Sequence, residues 1–173
     1  AVLALLLQFA CSPVAVSTKD EQSSKVATEQ NLNADWLFYK SQSAELTAKP
    51  EDWQQVHLPH TPQIEPLLVN NQWQGFAWYQ KSLTIAPEWQ GKQLLIRFEA
   101  AMNHAEVWLG DKKIGEHLGG YLPFTLNLTP YVAPGQSYRL TVKLDNRDNE
   151  VTGPKPLAQL DFNTYGGLYR DVR

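Results

Sequence analysis

One carboxylate near the end of the sequence, Asp161, stands in a setting that suits contact with a ligand. It follows a stretch that contains Pro154 and Pro156, and it precedes an aromatic residue and the pair Gly166-Gly167. Segments of this composition form surface loops, where a polar side chain can reach outward rather than pack. An ionised carboxylate accepts strong hydrogen bonds from hydroxyl groups. Two interpretations of Asp161 stay open: contact with a polar ligand, or capping of its own loop.

The other acidic residues and the histidines form no pattern that indicates catalysis or metal binding. Glu99, Glu106 and Glu116 fall on predicted strands or turns, and no pairing signature or catalytic motif accompanies them. The histidines lack the spacing of metal ligands. They are His57, His60, His104 and His117. We therefore assign no catalytic residue, no metal site and no cofactor to this sequence.

Short β-strands have to position these side chains. Residues 138–145 alternate between apolar and polar, and residues 76–85 carry aromatic and β-branched side chains at strand spacing. Gly110-Asp111 separates two further apolar stretches and predicts a hairpin turn. Turn signals recur every 8–12 residues without a helical period, which predicts an all-β, jelly-roll-like β-sandwich over residues 34–173. Further strands are predicted at 36–39, 53–58 and 93–99.

Composition sets limits on the class of protein. The chain has 173 residues, a formal net charge of −3 and one cysteine. A domain of about 140 residues can bury a core without disulfides, and a single cysteine excludes an internal disulfide framework. The lysines and arginines are scattered rather than clustered, so we expect no nucleic-acid partner.

The first 33 residues differ from the rest. Residues 1–16 are uncharged and apolar, too short for a membrane span of roughly 20 residues, and they predict a signal peptide at 1–17. Either Cys11 is a lipidated lipoprotein cysteine, or cleavage follows Ala15-Val16-Ser17. Nothing amphipathic follows, which argues against a buried helix. Residues 18–33 are polar and predict a linker. We expect an exported protein, periplasmic or attached to the outer membrane by a lipid anchor.

Several segments, in the same order, resemble the N-terminal sugar-binding domain of family 2 glycoside hydrolases, the β-galactosidases, β-glucuronidases and β-mannosidases. The segments lie at 53–61 (ending LPHT), 73–81 (WQGFAWYQK), 97–100 (RFEA), 107–110 (VWLG), 115–124 (GEHLGGYLPF), 144–146 (LDN) and 161–173 (DFNTYGGLYRDVR). In that family an immunoglobulin-like domain and a (β/α)8 barrel with two catalytic glutamates follow. This sequence stops at Arg173, so we expect a piece of an enzyme without its catalytic part.

The resemblance implies a galactose-binding-domain-like sandwich within a retaining β-glycosidase, with β-galactosidase preferred and β-glucuronidase as the alternative. The implied partners are a β-glycoside substrate and downstream domains of the same chain. In resembling enzymes an Asp of the equivalent loop hydrogen-bonds a sugar hydroxyl, a role that would fall to Asp161. β-Galactosidases place an Asn near 73–75 that touches the sugar, which points to Gln74, with Asn70-Asn71 a little earlier. A stand-alone carbohydrate-binding module and a purely structural domain are the competing hypotheses.

Overall fold

The computed structural model describes residues 27–64, 72–148, 150–152, 159–160 and 162–173. Two of the predicted site residues, Cys11 and Asp161, therefore lie outside the described residues. Gln74 lies within them. No helix in the described part of the chain has the length and apolar character needed to cross a membrane.

Eight β-strands make up the described fold, and three single-turn 3-10 helices lie in their connections. The strands are β1 (Trp36–Ser41), β2 (Gln54–Val56), β3 (Phe76–Thr84), β4 (Leu95–Phe98), β5 (His104–Leu109), β6 (Lys112–Leu118), β7 (Phe124–Asn127) and β8 (Ser137–Asp145). Six of them form one antiparallel sheet in the order β2-β1-β3-β8-β5-β6. Strand β8 pairs along its whole length with β3, from Phe76 opposite Asp145 to Thr84 opposite Ser137.

The second layer is built from β4, β7 and the last residues of the chain. Strand β4 pairs with β7, and on its other side Arg97 and Arg173 exchange two backbone hydrogen bonds of 2.7 and 2.9 Å. The N–H of Leu32 donates to the carbonyl of Val172 at 2.9 Å. Residues 162–173, which we call the final segment, thus end between β4 and the residues just before β1, so this segment is part of the sandwich rather than a tail.

Alternation along the strands separates the core from the outer face. In β8, Leu140, Val142 and Leu144 are fully buried in the core, and Arg139 and Lys143, which alternate with them along the strand, point to the opposite face. Val172 and Leu168 of the final segment are fully buried as well. Full burial of one such aliphatic side chain stabilises a fold by roughly 1.5–3 kcal/mol, so the last residues contribute directly to folding.

The prediction of an all-β sandwich is confirmed, and the strands at 76–85 and 138–145 match β3 and β8 closely. The hairpin around Gly110-Asp111 is confirmed as β5–β6. The strand predicted at 53–58 is shorter, because pairing with β1 ends at Val56. Strand β7 was not predicted, because an alternation of apolar and polar residues over only four positions is too short to indicate a strand.

Candidate functional site

The start of β3 and the end of β8 lie at the same edge of the large sheet, because the two strands are antiparallel and Phe76 pairs with Asp145. Three loop segments meet there: residues 72–75 before β3, 146–148 after β8, and 163–167 in the final segment. We call this meeting point the loop junction. It holds the described residues that come just after Asp161 in the sequence.

Asn146 is the centre of the loop junction. Its side chain is only 7% exposed. Its Oδ1 accepts a hydrogen bond from the N–H of Gly75 at 2.8 Å, and its Nδ2 donates to the carbonyl of Trp73 at 2.8 Å. Its own backbone N–H donates to the carbonyl of Gly75 at 3.2 Å. The amide therefore ties the end of β8 to the loop before β3.

Gln72 extends this connection to the final segment. Its side chain is 9% exposed, and it exchanges two hydrogen bonds with Thr164. Nε2 donates to the Thr164 hydroxyl at 2.9 Å, and the Thr164 backbone N–H donates to Oε1 at 2.8 Å. A reciprocal pair of this kind fixes both the position and the orientation of the partner backbone.

Two glycines let the final segment approach this closely. A Cβ at Gly166 would lie 2.6 Å from Asn146 Nδ2. A Cβ at Gly167 would lie 2.6 Å from the His60 carbonyl and 2.7 Å from the Tyr79 hydroxyl, and its φ is +100°. The positive φ favours glycine, and neither position has room for a larger residue.

A histidine–tyrosine pair holds the other side of Gly167. His60 Nδ1 and the Tyr79 hydroxyl are 2.8 Å apart, and the His60 N–H donates to the Leu168 carbonyl at 2.8 Å. The backbone of Leu168 also hydrogen-bonds the phenol. Burial lowers the pKa of His60 and raises the pKa of Tyr79, so both groups are neutral near pH 7. The pair links the LPHT segment to the final segment.

Gln74 has two hydrogen-bond partners in the described structure. Its Oε1 accepts from the N–H of Asp148 at 3.0 Å, and its carbonyl accepts from Gln42 Nε2 at 2.9 Å. These contacts connect the loops on either side of the junction. The substrate contact predicted for Gln74 stays a prediction, as does that for Asp161, whose neighbour Phe162 is 52% exposed.

The structure brings together three side chains that sequence spacing did not connect. One ligand-type atom each from His104, Glu106 and Glu116 lies within 4.8 Å of the others. Lys113 Nζ lies 2.7 Å from Glu106 and 2.6 Å from Glu116, and Lys143 Nζ lies 2.8 Å from Glu106. Two ammonium groups balance two carboxylates, so we interpret this group as an ion-pair network across the outer face of the sheet.

These contacts also argue against acid catalysis by either glutamate. Burial acts to raise the pKa of Glu106, but the hydrogen bonds from Lys113 and Lys143 outweigh it and hold that pKa below its usual range. Hydrogen bonds from Lys113 and His104 lower the pKa of Glu116. A general acid at neutral pH needs a raised pKa, so neither glutamate is suited to that role, and the absence of any catalytic role stays a prediction.

The residues that build the junction were missed as functional candidates. Asn146 belongs to the quoted LDN segment, and a polar residue directly after the regular strand 138–145 was the available signal. Gln72 and Thr164 carry no local signal, because they are 92 residues apart in the sequence.

Comparison with known proteins gives a family match over nearly the whole chain. Residues 20–173 match the family described as "Glycosyl hydrolases family 2, sugar binding domain". The match begins before β1 and includes every strand of the sandwich as well as the final segment.

Curated relatives are similar over most of this chain. A β-glucuronidase from Bacteroides fragilis is 38% identical over 143 residues, which is 82% of this chain and 19% of that protein. A β-galactosidase from Thermoanaerobacterium thermosulfurigenes is 34% identical over 147 residues, which is 82% of this chain and 20% of that protein. The chain thus spans about a fifth of the length of these relatives.

Solved structures contain the same fold. Bacteroides uniformis β-glucuronidase 2, covalently bound to cyclophellitol-6-carboxylate aziridine, superposes with a TM-score of 0.72 at 32% sequence identity. The superposition covers 83% of this chain and 17% of that one.

Proposed function

This chain belongs to the sugar-binding domain family of the family 2 glycosyl hydrolases, and we propose that it acts as the N-terminal carbohydrate-binding domain of a longer, retaining β-glycosidase. The family match over residues 20–173 carries this proposal. The relatives are glycoside hydrolases about five times as long as the matched region. In a retaining enzyme two carboxylates about 5–5.5 Å apart act as acid/base and nucleophile. We place both on downstream domains of the same protein, as the resemblance implies.

We propose a β-glucuronide as the substrate class. The 38% identity to a β-glucuronidase and the likeness to the Bacteroides uniformis β-glucuronidase support this choice. β-Galactosidase, which the LPHT and WQG segments favour, is the second candidate and is supported by the 34% identical relative of that name. Assays of the full-length protein with p-nitrophenyl β-D-glucuronide and β-D-galactoside separate the two. Hydrolysis of neither glycoside would reject both substrate classes.

We propose that this domain contributes the Asp161 carboxylate to the substrate pocket. The support is its place just before a segment that the loop junction holds against the sandwich. A carboxylate that accepts hydrogen bonds from sugar hydroxyls makes charge-assisted bonds, each worth roughly 1.5–3 kcal/mol. We therefore expect Asp161→Ala in the full-length enzyme to lower kcat/KM about tenfold or more. Turnover and KM equal to wild type would remove Asp161 from the site. Gln74→Ala tests the second substrate contact in the same assay.

We also propose export, from the apolar stretch 1–16 and Cys11. Metabolic labelling with a fatty acid, compared between wild type and Cys11→Ser, distinguishes a lipoprotein from a protein cleaved after Ser17. Label in the wild type that is lost in Cys11→Ser supports the lipid anchor. Export without label supports cleavage after Ser17.

A further inference from the structure

Two buried amides, Asn146 and Gln72, connect the large sheet to the final segment. Asn146 directly follows β8, the strand that lies between β3 and β5 in the middle of the sheet. Its side chain uses both Oδ1 and Nδ2 on the backbone of the 72–75 loop, at Gly75 and Trp73. This loop is therefore held on a framework that the sheet itself keeps in place.

The connection then passes from the 72–75 loop to the final segment. Gln72 is the residue before Trp73, and its reciprocal hydrogen bonds of 2.9 and 2.8 Å hold both the hydroxyl and the backbone N–H of Thr164. Two residues further on, the backbone of Gly166 packs against the Asn146 amide, where a Cβ would lie 2.6 Å from Nδ2. The final segment is thus held at Thr164 by Gln72 and at Gly166 by Asn146.

The chemistry of these side chains suits placement better than stability. Burying an amide costs free energy unless its donors and acceptors are bonded, and apolar residues in place of both the amide and its partner would bury without that cost. Gln72 and Asn146 are, with Thr141, the buried polar or charged residues among those described. A fully bonded buried amide specifies one geometry, since any shift leaves it unsatisfied.

We propose that Gln72 and Asn146 are positioning residues for substrate binding, which act by holding the segment that follows Asp161 and do not touch the sugar themselves. The inference rests on the proposed function of Asp161. The held residue Thr164 is three positions from Asp161, and so short a stretch of chain limits how far the two can separate.

The test uses the full-length enzyme with three substitutions. Gln72→Met keeps the side-chain volume and removes both hydrogen bonds to Thr164. Gln72→Glu keeps them, because one carboxylate oxygen accepts from the Thr164 N–H and the other accepts from its hydroxyl. Gln80→Met is the matched control on the outer face of β3, where no described hydrogen bond is lost. We expect kcat/KM to fall about tenfold in Gln72→Met, from two lost hydrogen bonds, and to stay within about threefold of wild type in Gln72→Glu and Gln80→Met.

A double-mutant cycle separates positioning from a general loss of structure. In an Asp161→Ala background, Gln72→Met should lower kcat/KM by less than about twofold, because the group it positions is already gone. The same tenfold loss in both backgrounds, or an unchanged kcat/KM in Gln72→Met alone, would overturn the inference. Melting temperatures of all variants identify any that fail to fold. If Gln72→Met is one of them, the test depends on Gln72→Glu, which should keep kcat/KM within about threefold of wild type. A tenfold loss of kcat/KM in folded Gln72→Glu would overturn the inference.

A readout without catalysis distinguishes this inference from the proposed function. Hydrogen exchange at the backbone amides of 163–167 should be faster in Gln72→Met than in wild type, with β8 unchanged. Exchange equal to wild type would overturn the positioning role whatever the activity. Faster exchange in Gln72→Met together with wild-type kinetics for Asp161→Ala would show that Gln72 holds the final segment in place, and it would reject the proposed role of Asp161.

Discussion

Replacing Gly167 with alanine tests how closely the final segment packs against the rest of the fold. Gly167 has a φ of +100°, and an added Cβ would meet the His60 carbonyl at 2.6 Å, the Tyr79 hydroxyl at 2.7 Å and Pro62 Cδ at 2.9 Å. Two costs add. A positive φ costs a non-glycine residue roughly 1–2 kcal/mol, and inserting a methyl group into a packed site costs typically 1–3 kcal/mol. We expect Gly167→Ala to lower the free energy of unfolding by about 3 kcal/mol.

Gly119 provides a matched control for the first cost. Its φ is +104°, nearly the same as that of Gly167, and a Cβ there would meet no atom within 4 Å. Gly119→Ala should therefore cost only the backbone term, about 1–2 kcal/mol. The difference between the two variants isolates the crowding at Gly167.

Urea unfolding followed by tryptophan fluorescence measures both variants. The midpoint should fall in each, and further in Gly167→Ala, with the slope m unchanged. Equal destabilisation of the two variants within about 0.5 kcal/mol would mean that His60 and Tyr79 yield easily to an added methyl group. The packing argument for the loop junction would then be wrong.

Three other outcomes follow from the described contacts. Burial lowers the pKa of His60 and of His117 below the ordinary 6.5, so the unfolded chain takes up protons first as the pH falls. Stability should be full above about pH 6.5 and decline below it, which urea midpoints between pH 7.5 and 5 measure, and His60→Gln should reduce this dependence. Val172→Ala should lower the free energy of unfolding by roughly 1.5–3 kcal/mol in the same experiment, because the Val172 side chain is fully buried and its removal leaves a cavity in the core. Lys143→Met should lower the free energy of unfolding by less than about 1 kcal/mol, because Lys113 still binds Glu106; a loss above about 2 kcal/mol would contradict the interpretation of a partly exposed network.

Local patterns predicted the parts of the fold that depend on neighbours in sequence. The alternation along 138–145 indicated β8 because one face of that strand is buried and the other is not. Gly110-Asp111 indicated the β5–β6 turn because a tight hairpin needs such residues. The pairing of Val172 with β4 and with Leu32 left no comparable signal, since those partners lie far away in the sequence. The hydrogen bonds of Gln72 to Thr164 are invisible for the same reason.

Four of the seven segments that carry the family resemblance meet in space, and one of the four is the final segment. His60 comes from the LPHT segment, Tyr79 from WYQK, Asn146 from LDN, and Gly166-Gly167 from the last one, and their side chains or backbones contact one another. Each residue has a definite task there: a neutral imidazole paired with a phenol, a buried amide that bonds two backbone groups, and two positions without a Cβ. These four segments therefore form one set of contacts that attaches the final segment to the sandwich. So many simultaneous close contacts leave the final segment a single arrangement, which is the condition that any group it presents to a substrate has to meet.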